Sequence, residues 1–284
     1  MRRQVSVLID SQGSWAKPLG ERVQHWVGPI LADSRRVKDA LNGTWLGHPV
    51  HPAVTDVPVG AMTVAAILDL AGQDRAADIA IGTGLAGMAA SAATGTADAV
   101  DAYGRPQIVA TVHATLMVGS LVAYLASAGL RAGRRRPLAR VLALAGYGAL
   151  SAGAYVGGDL AYLLGNQVNR HAFRSFPRKW KPLDVTEVPE GRLTRAMLGS
   201  DPLALFREGA TIHALHATCA HAGGPLDKGT LADGCVECPW HQSRFRLSDG
   251  HVQQGPAVYD QPAFEVREVA GGREARALGA GDQP

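Results

Sequence analysis

Long stretches without charge constrain this chain more than any other feature. Three of them run from about Ile79 to Ala97, from Gln107 to Leu130 and from about Leu138 to Leu164, the last with Arg140 and Asp159 near its ends. A bilayer's hydrocarbon core is about 30 Å thick, and about 20 helical residues cross it. All three are long enough. A fourth, shorter stretch from about Val54 to Leu70 has Asp56 and Asp69 at its ends and completes a set of four spans. The alternative, a buried helical bundle in a soluble protein, would need several such runs in one domain, which is rare. Small residues recur four apart at Gly82, Ala86 and Ala90, at Ser91 and Gly95, and at Gly153 and Gly157. Lipid gives helices no hydrophobic reason to associate, so close backbone approach over small faces must hold them together. The expectation is a compact, all-α four-helix transmembrane bundle that also self-associates as a homo-oligomer.

Composition changes sharply beyond these stretches. Mean hydropathy is near zero, but that average combines an Ala/Gly/Val/Leu-rich region from Val57 to Leu164 with a charged, Pro-rich region from Arg170 onward. Two regimes imply two domains in different solvents. The expected division is an amphipathic N-terminal segment at 1–52, the bundle at 53–165, a basic linker at 166–182 and a second domain at 183–280. In the first segment Pro18, Gly20, Gly28 and Pro29 interrupt the chain, and Ile30–Leu46 has helical spacing, with Trp45 placed to anchor it at a membrane interface. The second domain alternates short apolar runs, such as Ala210–Leu215, Phe245–Leu247 and Ala263–Glu268, with Gly and Pro, which predicts a small antiparallel all-β domain.

The formal net charge is +3, and the basic residues cluster beside apolar segments, as at Arg131, Arg134, Arg135, Arg136 and Arg140. That is the placement of membrane-flanking loops. No basic surface interleaved with aromatics suggests nucleic acid as a partner. The first residues lack the sustained apolar core of a secretory signal. Lys and Arg near the spans are more numerous on the side of the termini, which puts both termini and the β domain in the cytoplasm, although the Arg-rich third loop argues the other way.

The three cysteines, Cys219, Cys235 and Cys238, lie close together. An odd, local set reads as metal ligation with one thiol left over, rather than as a disulfide framework. Two pairs stand out: Cys219-Ala-His221 and Cys238-Pro-Trp-His241. Two Cys and two His can bind zinc or an iron–sulfur cluster. Zinc sites usually have wider gaps within each pair than the single residue between Cys219 and His221. A [2Fe–2S] cluster can place two thiolates on one iron and two imidazoles on the other.

The flanking text narrows the choice. Ala222-Gly223-Gly224-Pro225-Leu226 follows the first pair; Gln242-Ser243-Arg244-Phe245, Asp249-Gly250 and Gly255-Pro256-Ala257 follow the second. Across about 183–278 this resembles the Rieske ferredoxin family. The resemblance implies a β-sandwich with two ligand loops at one tip and a [2Fe–2S] cluster held by Cys219, His221, Cys238 and His241. Gly223 and Gly224 would let backbone approach the cluster, Pro225 and Pro239 would stiffen the loops, and N–H groups would point at the sulfides. Relatives of the cytochrome bc type join the loops by a disulfide at the positions of Gly224 and Trp240, so none is expected here. Ser243 occupies the place of a serine whose hydroxyl lies near a sulfide, while Phe245 replaces a tyrosine. These departures imply a reduction potential below the quinol-oxidising class. Cys235, His213, His216 and His251 are expected to be ordinary core, strand or turn residues.

Helix parity gives one more expectation. Odd spans begin and even spans end on one side, so His48, His51, Asp56, Asp98, Asp101, His113, Asp159 and His171 gather toward one membrane face, that of the β domain. Ionisable residues within spans are expensive and mark function. The candidate membrane site is His48, His51, Asp56, His113 and His171. It would be a haem ligated by His113 with another histidine, or a quinone pocket; interfacial capping is the competing explanation. His48-Pro-Val-His51-Pro with Asp56-Val-Pro-Val-Gly resembles a family of small four-helix membrane proteins, across about 44–165, that implies no activity. The reading as a whole is a membrane-anchored Rieske protein that carries single electrons between donor and acceptor proteins or quinone, with the bilayer as a further partner. The alternatives are a ferredoxin-like oxygenase component and a cluster-based sensor.

Overall fold

A computed structural model describes residues 2–279; the expected segment ends at 1 and 280 lie outside them. The chain forms two compact units. One joins the first 41 residues to Val50–Asn166, and the other joins Asn42–Pro49 to the chain from Gln167 onward.

The first unit is all helix: α1 (Arg2–Asp10), α2 (Gly13–Asp33), α3 (Arg35–Asn42), α4 (Val50–Leu70), α5 (Asp74–Ala99), α6 (Arg105–Ala132) and α7 (Arg136–Tyr162). The last four are long and apolar enough to cross a membrane. Their starts follow from local chemistry. Pro106 and Pro137 sit in the first turns of α6 and α7, where a missing N–H is harmless, and Asp74 opens α5 at the positive end of its dipole.

The four spans form two tight hairpins, α4 against α5 and α6 against α7, with sparser contact between the hairpins. Glycines set the closeness. A Cβ on Gly84 would lie 2.5 Å from Met62 Cε, and one on Gly87 would lie 2.8 Å from Pro58 Cδ. In the second hairpin a Cβ on Gly153 would lie 2.6 Å from Met117 Cε. Gly153, Gly157 and Gly95 therefore act as contact residues, as their spacing suggests. The row Gly82, Ala86 and Ala90 does not: all three are exposed, and a Cβ on Gly82 would meet nothing within 4 Å. The inward face of α5 runs instead through Gly84, Gly87 and Met88.

The N-terminal segment also differs from expectation. Pro18 and Pro29 lie inside the helix α2 rather than breaking it. The expected helix over Ile30–Leu46 is split: α2 ends at Asp33, Ser34 leaves helical geometry, α3 follows, and Gly43 at φ +91° turns the chain into a short 3-10 helix, Thr44–Leu46. The α2 helix packs on α6, where Gly20 faces Thr111 and Gln107. Lys38 and Asp101 form an ion pair of 2.8 Å with both side chains largely buried. At the α4–α5 and α6–α7 turns, Arg131 and Asp69 form a second, fully buried pair, and Arg131 also reaches Asp78 at 2.9 Å. Arg131 is thus a structural partner inside the bundle and not only a loop charge.

The second unit is all β. A six-stranded antiparallel sheet has the order β1 (Lys181–Leu183), β10 (Gly272–Ala277), β9 (Ala263–Val269), β4 (Thr211–His216), β3 (Asp201–Glu208), β2 (Leu193–Leu198). A four-stranded sheet runs β5 (Thr230–Ala232), β6 (Cys235–Glu237), β7 (Arg244–Arg246), β8 (Val252–Gln254). Period-two alternation divides β3 between two cores. Leu203 and Leu205 point into one with Phe264 and Ala275; Ala204 joins the other with Leu215, Val236 and Phe245. That second core contains Cys219 and Cys238, so the candidate ligands grow out of the packed interior. The stretch expected as a linker belongs to this unit: Arg170 N–H donates to Ala220, Pro177 accepts from Ala277, and Phe176 packs on the core.

Candidate metal centre

Two loops bring the four ligand candidates together. The first leaves β4 at His216 and carries Cys219 and His221; the second is the β6–β7 connection and carries Cys238 and His241. Each is closed by its own backbone. Cys219 N–H donates to Gly224 O at 2.8 Å and Gly223 N–H to Cys219 O at 3.0 Å. Cys238 N–H donates to Ser243 O and Gln242 N–H to Cys238 O, both at 2.9 Å. Gly223 takes φ +85°, where a side chain would be strained.

The thiols of Cys219 and Cys238 are buried and hydrogen-bonded to each other. As free thiols they share that bond unequally: it pulls Cys238 down to about 7 and pushes Cys219 well up, with burial adding to the rise. The N–H groups of His221 and Ala222 also point at Cys219 sulfur, and those of Trp240 and His241 at Cys238 sulfur. The imidazoles of His221 and His241 have ring centres 5.0 Å apart and planes at 90°. A metal–imidazole bond is about 2.0–2.1 Å and the nitrogen lies about 1.1 Å from its ring centre, so two rings at a tetrahedral angle on one metal stand about 5 Å apart. The histidines thus have the separation of ligands sharing one metal, while the thiols form a separate pair. Among the described residues no group of three or more His, Cys, Asp or Glu is placed to hold a single ion. A Cβ on Gly224 would lie 2.7 Å from Cys238 sulfur and 3.1 Å from the Trp240 ring, so this cradle requires glycine. Cys235 is buried, and desolvation raises its thiol pKa; all three cysteines are unbridged.

Ser243 is fully buried, and its hydroxyl accepts Ala257 N–H at 3.0 Å. Pro239 and Trp240 lie exposed at the loop tip, and Pro225 precedes a short 3-10 turn. Two supports have no counterpart among the residues singled out from sequence for this site. Buried Gln261 accepts Ala220 N–H at 2.8 Å and donates to His216 O at 2.6 Å and Thr218 O at 2.7 Å, gripping the first loop on both sides of Cys219. His216 is completely buried and accepts Thr218 N–H at 3.1 Å through Nδ1. His171 donates from Nε2 to Thr218 O at 2.8 Å and lies 4.5 Å from the His216 ring. Burial pushes His216 down to about 3, with His171 and Arg174 nearby adding to it, and burial lowers His171 too. Only their three-dimensional pairing separates them from ordinary strand histidines.

The five membrane-site candidates do not form one group. His48 is exposed, bonds its neighbour Pro49, and belongs with His171 to the β unit. Asp56 is exposed on α4. His51 and His113 do meet inside the bundle, with ring centres 6.4 Å apart.

Comparison with known proteins places both halves. The Rieske [2Fe–2S] domain model matches residues 179–265, and the model of DUF2231, a predicted membrane protein, matches residues 47–170. The anthranilate 1,2-dioxygenase ferredoxin subunit of Burkholderia cepacia is 33% identical over 94 residues, which cover 33% of this chain and 87% of that protein. Ferredoxin CarAc of Metapseudomonas resinovorans is 34% identical over 88 residues, 31% of this chain and 82% of the other. Apoptosis-inducing factor 3 of Mus musculus is 34% identical over 83 residues, 29% of this chain but only 14% of that protein. The fold and the paired thiols and imidazoles agree with a [2Fe–2S] cofactor, and the four apolar spans with an integral membrane protein.

Proposed function

We infer the function from one premise: this chain belongs to the Rieske [2Fe–2S] family, with the Rieske domain joined to a membrane domain. It is a membrane-bound iron–sulfur protein that carries single electrons between redox partner proteins. At residue level we propose that Cys219 and Cys238 hold one iron and His221 and His241 the other. The observation that carries this assignment is the separation into a contacting thiol pair and an imidazole pair 5.0 Å apart, delivered by two adjoining loops.

The bound cluster supplies one-electron storage. The chain's residues tune and expose it. Backbone N–H groups of His221, Ala222, Trp240 and His241 offset negative charge on the thiolates and so favour the reduced state. Gly223, Gly224, Pro225 and Pro239 keep the loops in the shape that aims those groups. Ser243 spends its lone pair on Ala257 N–H and keeps its own O–H to donate. The cysteines are buried while His221 and His241 are half-exposed, so the imidazole edges form the exit for an electron.

The likeness to oxygenase ferredoxins over most of their length supports a protein acceptor of that class over quinone. Basic residues flanking the spans support a cytoplasmic β unit. The exposed row of Gly82, Ala86 and Ala90 supports self-association within the bilayer.

The test is EPR and iron content of the reduced, detergent-purified protein. Alanine at Cys219, His221, Cys238 or His241 should each abolish the Rieske signal, while Cys235→Ala should keep it. A full, unaltered signal in any one of the four ligand variants would refute the assignment.

A further inference from the structure

His51 is the second residue of α4 and His113 lies in the first third of α6, so both stand near the same end of the bundle. Each is anchored inside its own hairpin. His51 Nδ1 bonds Thr94 Oγ1 of α5 at 3.1 Å, and its ring lies against Gly95, where a Cβ would come within 2.7 Å of Cε1. His113 Nδ1 donates to Gly153 O of α7 at 2.8 Å, and its ring lies against Gly157, where a Cβ would come within 2.9 Å of Cε1. Both hairpins thus use the same device: a helix glycine makes room for the imidazole and a polar atom one turn away or adjacent fixes Nδ1. This is how ligating histidines are oriented, with one nitrogen held by the protein and the other left to the metal.

The ring separation matches one coordination geometry. With the bond lengths used above, two imidazoles on opposite sides of one metal have centres about 6.3 Å apart. His51 and His113 are 6.4 Å apart with planes at 86°. No third His, Cys, Asp or Glu side chain completes a set for a bare ion among the described residues. Two trans imidazoles suit a metal whose remaining positions a macrocycle fills, and linear Cu(I) is the alternative that metal analysis tells apart. The two rings come from different hairpins and meet at the seam, where contact is sparser than within either hairpin. Cys235-Val-Glu-Cys238 is followed by Pro239, not by the histidine of a covalent haem attachment motif, so attachment is through the axial bonds alone.

We propose that His51 and His113 are the axial ligands of a non-covalently bound haem seated between the α4–α5 and α6–α7 hairpins. The site stands independently of the cluster assignment. The crossed ring planes add a spectroscopic consequence: the two imidazoles act on different iron d orbitals and leave them nearly degenerate, so the ferric haem should give a highly anisotropic low-spin EPR signal.

The experiment uses the full chain, expressed with a haem precursor and purified in detergent, with the reduced Rieske EPR signal as an internal check on folding. The expected result is a Soret band, one non-covalent haem per chain by pyridine haemochromogen, and the anisotropic low-spin signal. His51→Ala and His113→Ala should each lose the six-coordinate low-spin spectrum. His113→Met, which retains an axial ligand, should keep haem with a changed spectrum. A chain with full Rieske signal but no Soret band overturns the proposal, as does copper in place of haem on metal analysis. Low-spin haem surviving in the His51→Ala/His113→Ala double variant overturns it too, and none of these results bears on the four cluster ligands.

Discussion

Gln261 offers the sharpest test of how the cluster loop is held. Its side chain is 2% exposed and makes three hydrogen bonds to the backbone around Cys219. In Gln261→Ala these groups do not suffer equally. Thr218 O keeps its bond from His171 Nε2, so it stays satisfied. Ala220 N–H loses the acceptor that Gln261 supplies, and His216 O loses the donor. An orphaned buried polar group costs about 1–3 kcal/mol, so two of them amount to about 2–6 kcal/mol. For a domain of this size each kcal/mol moves the melting temperature by roughly 4–8 °C, so the β unit should melt at least about 8 °C lower. The assay is near-UV circular dichroism of the detergent-purified chain, with iron content at each temperature. Gln261→Glu is the informative control. It keeps the acceptor for Ala220 N–H but cannot donate to either carbonyl, and it places negative charge against them. It should therefore also be destabilised, while Asn, one methylene shorter, cannot span both sides. A shift in Gln261→Ala corresponding to less than about 1 kcal/mol would show that water or loop relaxation replaces these bonds and that the two-orphan reasoning is wrong.

Two further outcomes follow from the same loops. Gly224→Ala puts a methyl 2.7 Å from Cys238 sulfur, so it should destabilise by about 1–3 kcal/mol and lower cluster occupancy; full iron with an unchanged melting curve would contradict the crowding. His216 has a folded pKa near 3 against an ordinary 6.5, so between these values the unfolded chain binds a proton that the folded chain does not. Stability is therefore complete above pH 6.5 and falls as pH drops toward 3, by at most about 1.4 kcal/mol per pH unit; urea midpoints across this window should fall less steeply in His216→Asn, and an identical slope would exclude His216 as the source.

The sequence conveys architecture here better than support. Runs without charge reveal the spans because lipid admits little else, and the paired Cys–His text reveals the cluster because few chemistries use it. What escapes notice is whatever depends on partners distant in the chain. Arg131 reads as a loop charge beside other arginines, yet it closes on Asp69, sixty-two residues away, inside the bundle. Gln261 is one polar residue among many until β9 and the first ligand loop are seen side by side. The row Gly82, Ala86 and Ala90 has contact spacing, but spacing does not say which face of α5 turns inward; Gly84 and Gly87 do, because Met62 and Pro58 are there to fill them. The basic stretch after Asn166 looks like a tether by composition, and only Phe176 and His171 packing on the β core reveal it as part of the domain.

The two proposed metal sites differ in the ring spacing that their supporting elements impose. His221 and His241 sit on loops, each closed by its own backbone bonds, with ring centres 5.0 Å apart; that is the spacing of neighbours on one metal. His51 and His113 sit on helices, each pinned through Nδ1 to the partner helix of its own hairpin, with centres 6.4 Å apart; that is the spacing of opposite ligands. The difference follows from the supporting elements. Loops at one tip can turn two rings toward a common point from the same side. His51 and His113 come from different hairpins, and glycines at 95 and 157 let each ring approach the neighbouring helix closely. Replacing Gly95 or Gly157 by a larger residue would therefore disturb ring placement without removing a ligand, whereas the loop glycines at 223 and 224 govern the cluster alone.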